Sequence, residues 1–494
     1  MDENRHDTVK SLMDQSSHRL FIKASDASAW VTCLRRIWFD KHQPMTESEP
    51  DAFTQFLFQA GLAHETVILE KIAQQHPICR AKSVDHTIDL MRQGVPVIYQ
   101  ARLVDAEVGL IGYPDFLIRD DNGAYQAADA KLSLSENKKT TQIQLGIYRR
   151  LLKNDLPAMV YLGDGRVAQL SGDDIDILVD RFIFSMQTVL ADNQPPIVRY
   201  SYSRCEVCPY VNRCLPEFIR KEDPSLLYGV DGNVADQLAQ INISTISQLA
   251  HSNAESIPDL PHLKSEKKKN RAILQARSYL TGKLFQLDKI DLPEGTWIHF
   301  DIEDDPMTSS RNRHVYLWGF LIPSYTKSCF EYVWSDDESA DYDGWMSFLQ
   351  KIETYRNRYD SIVIAHYSNH EKSTIKKYAE RYSMANNNTV SWLLGEESPL
   401  FDLQKPILNS LILPLQRYGL KDICKHPGLV NFQWENDESG SQWSVVQFKR
   451  FQSEERLAVK NGIKETILNY NRDDVIATRR LELWLRELSL NNPK

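Results

Sequence analysis

The chain has 494 residues, 42% hydrophobic and 25% charged, with 67 acidic against 58 basic side chains and a net charge of −9. That length exceeds one hydrophobic core and predicts two or three domains, while the acidic balance excludes a chain-wide nucleic-acid surface in favour of local basic patches. The opening MDENRHDTVK lacks the apolar centre of a signal peptide, and no apolar run is long enough to span a bilayer, so a cytoplasmic protein without membrane contact is expected.

After twenty polar residues, SDASAWVTCLRRIWFD reads as one capped amphipathic helix with Trp30, Cys33, Leu34, Ile37 and Trp38 on its apolar face. A second helix over 52–75 carries His64 and Glu65. Strands are expected over 95–104, over 109–119 with breaks at Gly112 and Pro114, and over 125–131, the last two joined at the turn signal Asp121-Asn122-Gly123. On the third of these, Asp129 and Lys131 share a face with Ala130 turned into the core, and the hairpin brings Asp115 beside them. Two carboxylates on adjacent strands suit a hard divalent cation, and a lysine beside them polarises a water or steadies charge on an attacked phosphate; together they describe phosphodiester hydrolysis. Alone, Asp-x-Lys is more often a solvated strand edge. Here the helix over 140–152 adds Gln144 and Tyr148 one turn apart, and strands over 158–162 and 167–170 with a helix over 173–191 complete an α/β unit.

The order GxxHE at 61–65, PD at 114–115, DxK at 129–131 and QxxxY at 144–148 resembles the RecB-type branch of the PD-(D/E)XK nucleases. The resemblance implies that His64, Asp115 and Asp129 hold Mg2+ or Mn2+, that Lys131 is the catalytic lysine, and that Gln144 and Tyr148 complete the site. Seven cysteines without a secretion signal argue against a disulfide framework. Cys79, Cys329 and Cys424 read as isolated small buried residues. RCEVCPYVNRC gathers Cys205, Cys208 and Cys214, three convergent thiolates that need a fourth, for which Cys33 is the candidate. One cysteine before the nuclease motifs and three after them resembles the iron-sulfur staple of CRISPR-associated and AddB-type members of that branch, implying a structural [4Fe-4S] cluster, with Zn2+ as the competing occupant.

From 221 to 290 the chain reads as a helical connector. LYGVDGNVADQLAQINISTISQLAHS resembles a helix-hairpin-helix unit, whose hairpin amides approach a phosphate; a compact helical linker has the same pattern. The run HLKSEKKKNRAILQAR offers Lys264, Lys267, Lys268, Lys269 and Arg271, either a solvated helix start or a phosphate-contacting patch. Beyond it, the strand WIHFDIEDD places Asp301 and Glu303 on one face, Glu371 falls in the first turn of a helix after a strand over 361–365, and Tyr470 and Asp474 lie one turn apart on a strongly amphipathic helix. Four acids suit two-metal phosphoryl hydrolysis, with a tyrosine to orient the water. Their order resembles the DEDD (DnaQ-type) exonucleases of the ribonuclease H-like superfamily, in the variant with Tyr-x-x-x-Asp as third motif. Asp301, Glu303, Glu371 and Asp474 would then be ligands and Tyr470 would stand at the water; Glu371 occupies a position where that family has aspartate. Asp402 and Tyr418-Gly419-Leu420-Lys421 are further landmarks of the resemblance.

The expected architecture is therefore α/β: a PD-(D/E)XK nuclease domain with the cysteine cluster over 1–220, a small helix-hairpin-helix-like connector over 221–290, and a ribonuclease H-like domain over 291–494. The whole order resembles bacterial RecB-like nucleases with a C-terminal ribonuclease H-like domain. It implies a metal-dependent deoxyribonuclease acting on single strands or duplex ends, with RNA as the other substrate and a nucleic-acid-binding scaffold as the rival reading. No Gly-x-x-x-x-Gly-Lys-Ser/Thr loop is present, so a helicase that feeds the strand would be a separate chain.

Overall fold

The structure, a computed structural model, describes residues 21–45, 51–306, 313–323, 329–435 and 441–491; the polar first twenty residues lie outside these. The chain divides into two compact units, Met1–Val198 with Ser203–Asn212, and Arg199–Tyr202 with Arg213–Lys494. Residues 221–290 thus fold with the second unit.

In the first unit the helix expected from Ser25 is two, α1 (Ala27–Thr32) and α2 (Leu34–His42), because Cys33 is extended at φ −167° and ψ 123°. Tertiary contacts override the local pattern: Arg35 Nε and Trp38 Nε1 donate to the carbonyls of Pro196 and Asp192, each at 2.8 Å, fixing α2 in its own direction. Next comes α3 (Ala52–Ala73), capped by Asp51. Six strands follow in spatial as well as sequence order: β1 (Ile78–Arg80), β2 (Val97–Tyr99), β3 (Phe116–Arg119), β4 (Tyr125–Lys131), β5 (Ala158–Leu162) and β6 (Val167–Leu170). The β1–β2 and β4–β5 pairs are parallel and the rest antiparallel. The strand expected over 95–104 stops at Gln100, whose φ is +52°, and resumes as Leu103–Asp105 in a separate small sheet. Ala128 and Ala130 face Ile68 and Ile72 of α3, so alternation turns Asp129 and Lys131 to the opposite face. That is the side of α4 (Lys139–Leu152), where Gly146 admits α5 (Asp173–Ala191): a Cβ there would meet Val179 Cγ2 at 2.5 Å.

The second unit begins with α6 (Gly232–Gln240), α7 (Ile246–His251) and α8 (Glu266–Thr281). The hairpin between α6 and α7 gives every amide from 243 to 247 to a protein acceptor. Ile243 donates to Leu238 O, Ser244 and Thr245 to Gln248 Oε1, Ile246 to Glu222 O and Ser247 to Glu222 Oε2. With its donors engaged and a carboxylate among the acceptors, the turn does not present the amide cradle that the helix-hairpin-helix resemblance implied. The basic run is corrected too. Lys269 is buried and paired with Asp259 at 2.8 Å, and Arg271 donates to Leu411 O at 3.0 Å, so both serve the fold. Lys264, Lys267 and Lys268 are exposed.

The rest of this unit is a five-stranded sheet in the order β9–β8–β7–β10–β11, with β7 (Thr296–Asp305), β8 (His314–Ile322) and β9 (Cys329–Trp334) antiparallel and β10 (Ile362–His366) and β11 (Leu400–Asp402) parallel to β7. One face of β7, with Ile298, Phe300 and Ile302, closes a core with Trp318 and Phe320 under α9 (Asp341–Arg358), which supplies Trp345, Phe348 and Ile352. The other face, with His299, Asp301 and Glu303, meets the 35-residue α13 (Leu457–Asn491); before it in the chain come α10 (His370–Arg381), α11 (Leu420–Lys425) and α12 (Ser441–Ser453). Gly319 lies opposite Asp301 across β7–β8, and a Cβ on it would run into the Asn471 side chain of α13. Gly319→Ala should therefore lower stability by about 1–3 kcal/mol, read from urea unfolding, by forcing Asn471 off the sheet.

Candidate active sites

Asp115 follows Pro114 in the gap between two short strands, and its main chain ties it to β4. Its N–H donates to Asp129 Oδ1 at 3.0 Å, while its own Oδ2 accepts from Ala130 N at 2.8 Å. Lys131 Nζ stands 2.8 Å from Asp129 Oδ2. Burial, and then the neighbouring Asp129, push the Asp115 carboxyl up to about 8, against the pull of Lys131. Burial depresses the Lys131 ammonium, but Asp129 and Asp115 more than offset it and the net direction is upward. Tyr148 lies across Gly112, where a Cβ would come within 2.7 Å of its ring, and its hydroxyl donates to Tyr113 O at 3.2 Å. Gln144 is half-buried one turn earlier on α4.

The His64 Nε2 on α3 is 3.2 Å from Tyr161 O. The charge that α3 brings to Asp115 and Lys131 is that of Glu65, which accepts from the Tyr99 hydroxyl at 2.8 Å. Burial, with this hydrogen bond, raises Tyr99 to about 12. Glu65 was visible in the sequence only as the neighbour of the histidine; strand pairing and the helix's rotation, absent from a motif, distinguish the two.

In the second unit Asp301, Glu303 and Asp474 bring ligand atoms within 4.8 Å of one another, the one such group of three among the described residues. Asn471 Nδ2 donates to Asp301 Oδ2 at 2.7 Å and Trp434 Nε1 to Asp474 Oδ1 at 2.7 Å. Burial first, then the charges of Asp474, Glu303 and Glu371, hold Asp301 well above the carboxylate range. Burial and Asp474 raise Glu303 to about 8. Asp474 rises to about 6 through burial, with Lys421 opposing. Glu371 is buried nearby but outside the tight group, with Oε2 3.2 Å from His366 Nδ1. Tyr470 hydrogen-bonds to Asp474 and its hydroxyl accepts from Lys421 Nζ at 3.3 Å. Burial lowers Lys421 despite the acids around it. The other two acids of the strand are used elsewhere: Asp304 pairs with Arg313, and Asp305 with Lys449. Asp402 accepts from the amides of Ser368 and Gln404, each at 2.9 Å, which makes it a loop brace.

Cys33 is half-buried at the break between α1 and α2. Cys205 and Cys208 are half-buried in a segment whose Arg204, Glu206 and Val207 are exposed, and this segment is pinned to the same helices by Tyr210 Oη on Asp40 Oδ1 at 2.8 Å and Arg204 on Thr32 O at 3.3 Å. Burial raises the Cys208 thiol, with Cys33 contributing. Cys214 lies on the following helix, Val211–Arg220. Cys424 is buried as expected, but Cys79 and Cys329 are exposed, both on edge strands, β1 and β9.

Residues 6–215 match the family model of the PD-(D/E)XK nuclease superfamily, and residues 298–486 that of the RNase_H superfamily. No curated protein matches the chain. A solved structure described as "Crystal structure of SSO0001" aligns at 18% identity and a TM-score of 0.20 over 42% of this chain and 92% of its own, a likeness that carries no argument. The chain is thus a mixed α/β protein with two nuclease-superfamily domains.

The raised carboxyls fix a direction for stability. Their folded values, about 6 for Asp474 and about 8 for Asp115 and Glu303, exceed the unfolded values of 3.8 and 4.5, so the folded protein holds protons that the unfolded chain has lost. Stability conferred below about pH 4 should be lost as pH rises to about 8. In chelator, the thermal midpoint should fall between about pH 5 and about pH 8, and Mn2+ should restore more at the higher pH. Asp301→Asn should flatten the fall.

Proposed function

We propose that this chain is a metal-dependent nuclease with two catalytic heads, hydrolysing phosphodiester bonds of single-stranded DNA or of duplex ends. The observation that supports this most is that, in each unit, residues drawn from distant strands and helices converge on a buried acid cluster with a lysine against it, a charge arrangement that destabilises the fold unless a cation joins it. When bound, Mg2+ or Mn2+ supplies an activated water and compensates charge on the attacked phosphate.

In the first head, Asp115 and Asp129 would hold the cation, with Glu65, whose charge reaches Asp115, and, as the resemblance implies, His64. Lys131, kept charged by Asp129, stabilises negative charge developing on the phosphate. Tyr148, braced on Gly112 and Tyr113 O, with Gln144 one turn away, keeps the Pro114 loop in place. In the second head Asp301, Glu303, Asp474 and Glu371 are the ligand set. Tyr470 aligns the water, its hydroxyl fixed between Asp474 and Lys421. The His366 contact of Glu371 favours a second reading for this head, in which it binds nucleic acid, DNA or RNA, without turnover. By the resemblance, Cys33, Cys205, Cys208 and Cys214 would hold a structural [4Fe-4S] cluster. Brown protein with acid-labile sulfide supports it; colourless protein with bound zinc replaces it by the Zn2+ alternative. A helicase partner, if strand separation is needed, is a separate chain.

The test is cleavage of end-labelled single-stranded DNA and RNA with Mg2+ or Mn2+. Lys131→Ala should cost the first head at least about 100-fold in rate in a protein that still folds, with a lower thermal midpoint because the buried Asp129 loses its ion-pair partner. Asp301→Ala should remove the second head's products, and the double variant should be inert. Full cleavage by the double variant would overturn the assignment.

A further inference from the structure

Gln100 is a non-glycine residue held at φ +52°, a conformation that costs energy and persists where surrounding contacts over-determine it. All but one of those contacts lead to the first acid cluster. Its N–H donates to Asp115 O at 2.7 Å; its Nε2 donates to the Tyr99 hydroxyl at 3.1 Å and approaches Glu65 Oε1 at 3.4 Å. Its Oε1 accepts from Arg80 Nη2 at 2.6 Å. Strand pairing sets this up, since Arg80 on β1 lies opposite Tyr99 on β2, and the guanidinium carbon is 5.8 Å from the Tyr99 ring centre.

Arg80 is exposed at the sheet edge and is held by an amide oxygen rather than a carboxylate. Its charge is therefore not spent on that internal contact, and a planar edge of N–H donors stays available for two oxygens at once. An acid cluster repels the polyanion it must act on, and a cation beside it offsets that repulsion. We propose that Arg80 binds a backbone phosphate of the substrate strand other than the one attacked, and that Gln100 is the positioning residue that aims Arg80 while bracing Glu65 and Asp115. The proposal rests on the nuclease reading of the first head.

The experiment uses the full chain and a fluorescein-labelled thymidine oligonucleotide. Binding is measured against salt in the inert Lys131→Ala, Asp301→Ala double background, alone and with Arg80→Ala, Arg80→Lys or Gln100→Ala, and cleavage kinetics are measured with Lys131 present in the Asp301→Ala background, where only the first head turns over. Arg80→Ala should weaken binding by about tenfold and reduce the slope of log K against log salt by about 0.7, the loss of one phosphate contact on a single strand. In the active background it should raise KM more than it lowers kcat. Arg80→Lys should restore the slope but not the full affinity, because a point charge replaces a bidentate fork. Gln100→Ala should fall between parent and Arg80→Ala at an unchanged slope. Loss of first-head cleavage in Lys131→Ala establishes the head independently. Given that, an Arg80→Ala protein with the parent's slope and KM overturns the proposal, as does a fall in thermal midpoint with no change in slope. Cleavage unaffected by Lys131→Ala, with binding lost in no variant, overturns the reading of the head and the role of Arg80 with it.

Discussion

Carboxylates forced together out of water are the constraint on which both units depend. Burial raises the proton affinity of these carboxyls, and like charges in the low-dielectric setting add to it; Asp115 and Glu303 at about 8 are the result. Folding does not relieve the tension, it imposes it. In the first unit the main chain does this, with Asp115 and Asp129 exchanging contacts through the amides of Asp115 and Ala130. In the second, a long helix does it, bringing Asn471 and Asp474 against Asp301 and Glu303 where Gly319 leaves room. Each cluster also has a lysine, but in different balance. Lys131 is paired directly to Asp129 and shifts upward, whereas Lys421 meets a tyrosine hydroxyl and shifts downward through burial.

Much of the fold was legible because the determining patterns are short. Tyr125–Lys131 alternates between turn residues, and Asp173–Ala191 keeps a helical period throughout; both stand where the sequence places them. Asp301 and Glu303 were legible as one face of one strand, and Tyr470 and Asp474 as one face of one helix. What local pattern could not give was which faces meet. Asn471 sits between Tyr470 and Asp474 at a spacing that also faces the strand, but only the packing of α13 on β7 makes it a partner of Asp301.

The failures have the same origin. Cys33 and Gln100 interrupt elements that local propensity would continue, because distant contacts pay for the broken geometry. Lys269 and Arg271 belong to a charge run that reads as a surface, yet one turns inward to Asp259 and the other reaches a carbonyl 140 residues away. His64 and Glu65 are adjacent in sequence and lie about 100° apart around a helix, so a motif that names both does not tell which one meets the acids.

The central claim, that two independent buried acid clusters each need a divalent cation, is tested most directly by calorimetric titration of Mn2+ into the metal-free parent, Asp129→Asn and Asp301→Asn proteins near pH 8. Two separable classes of site in the parent, with a different one lost in each variant, is the expected result. Binding that is the same in all three proteins, or absent from the parent, would contradict it.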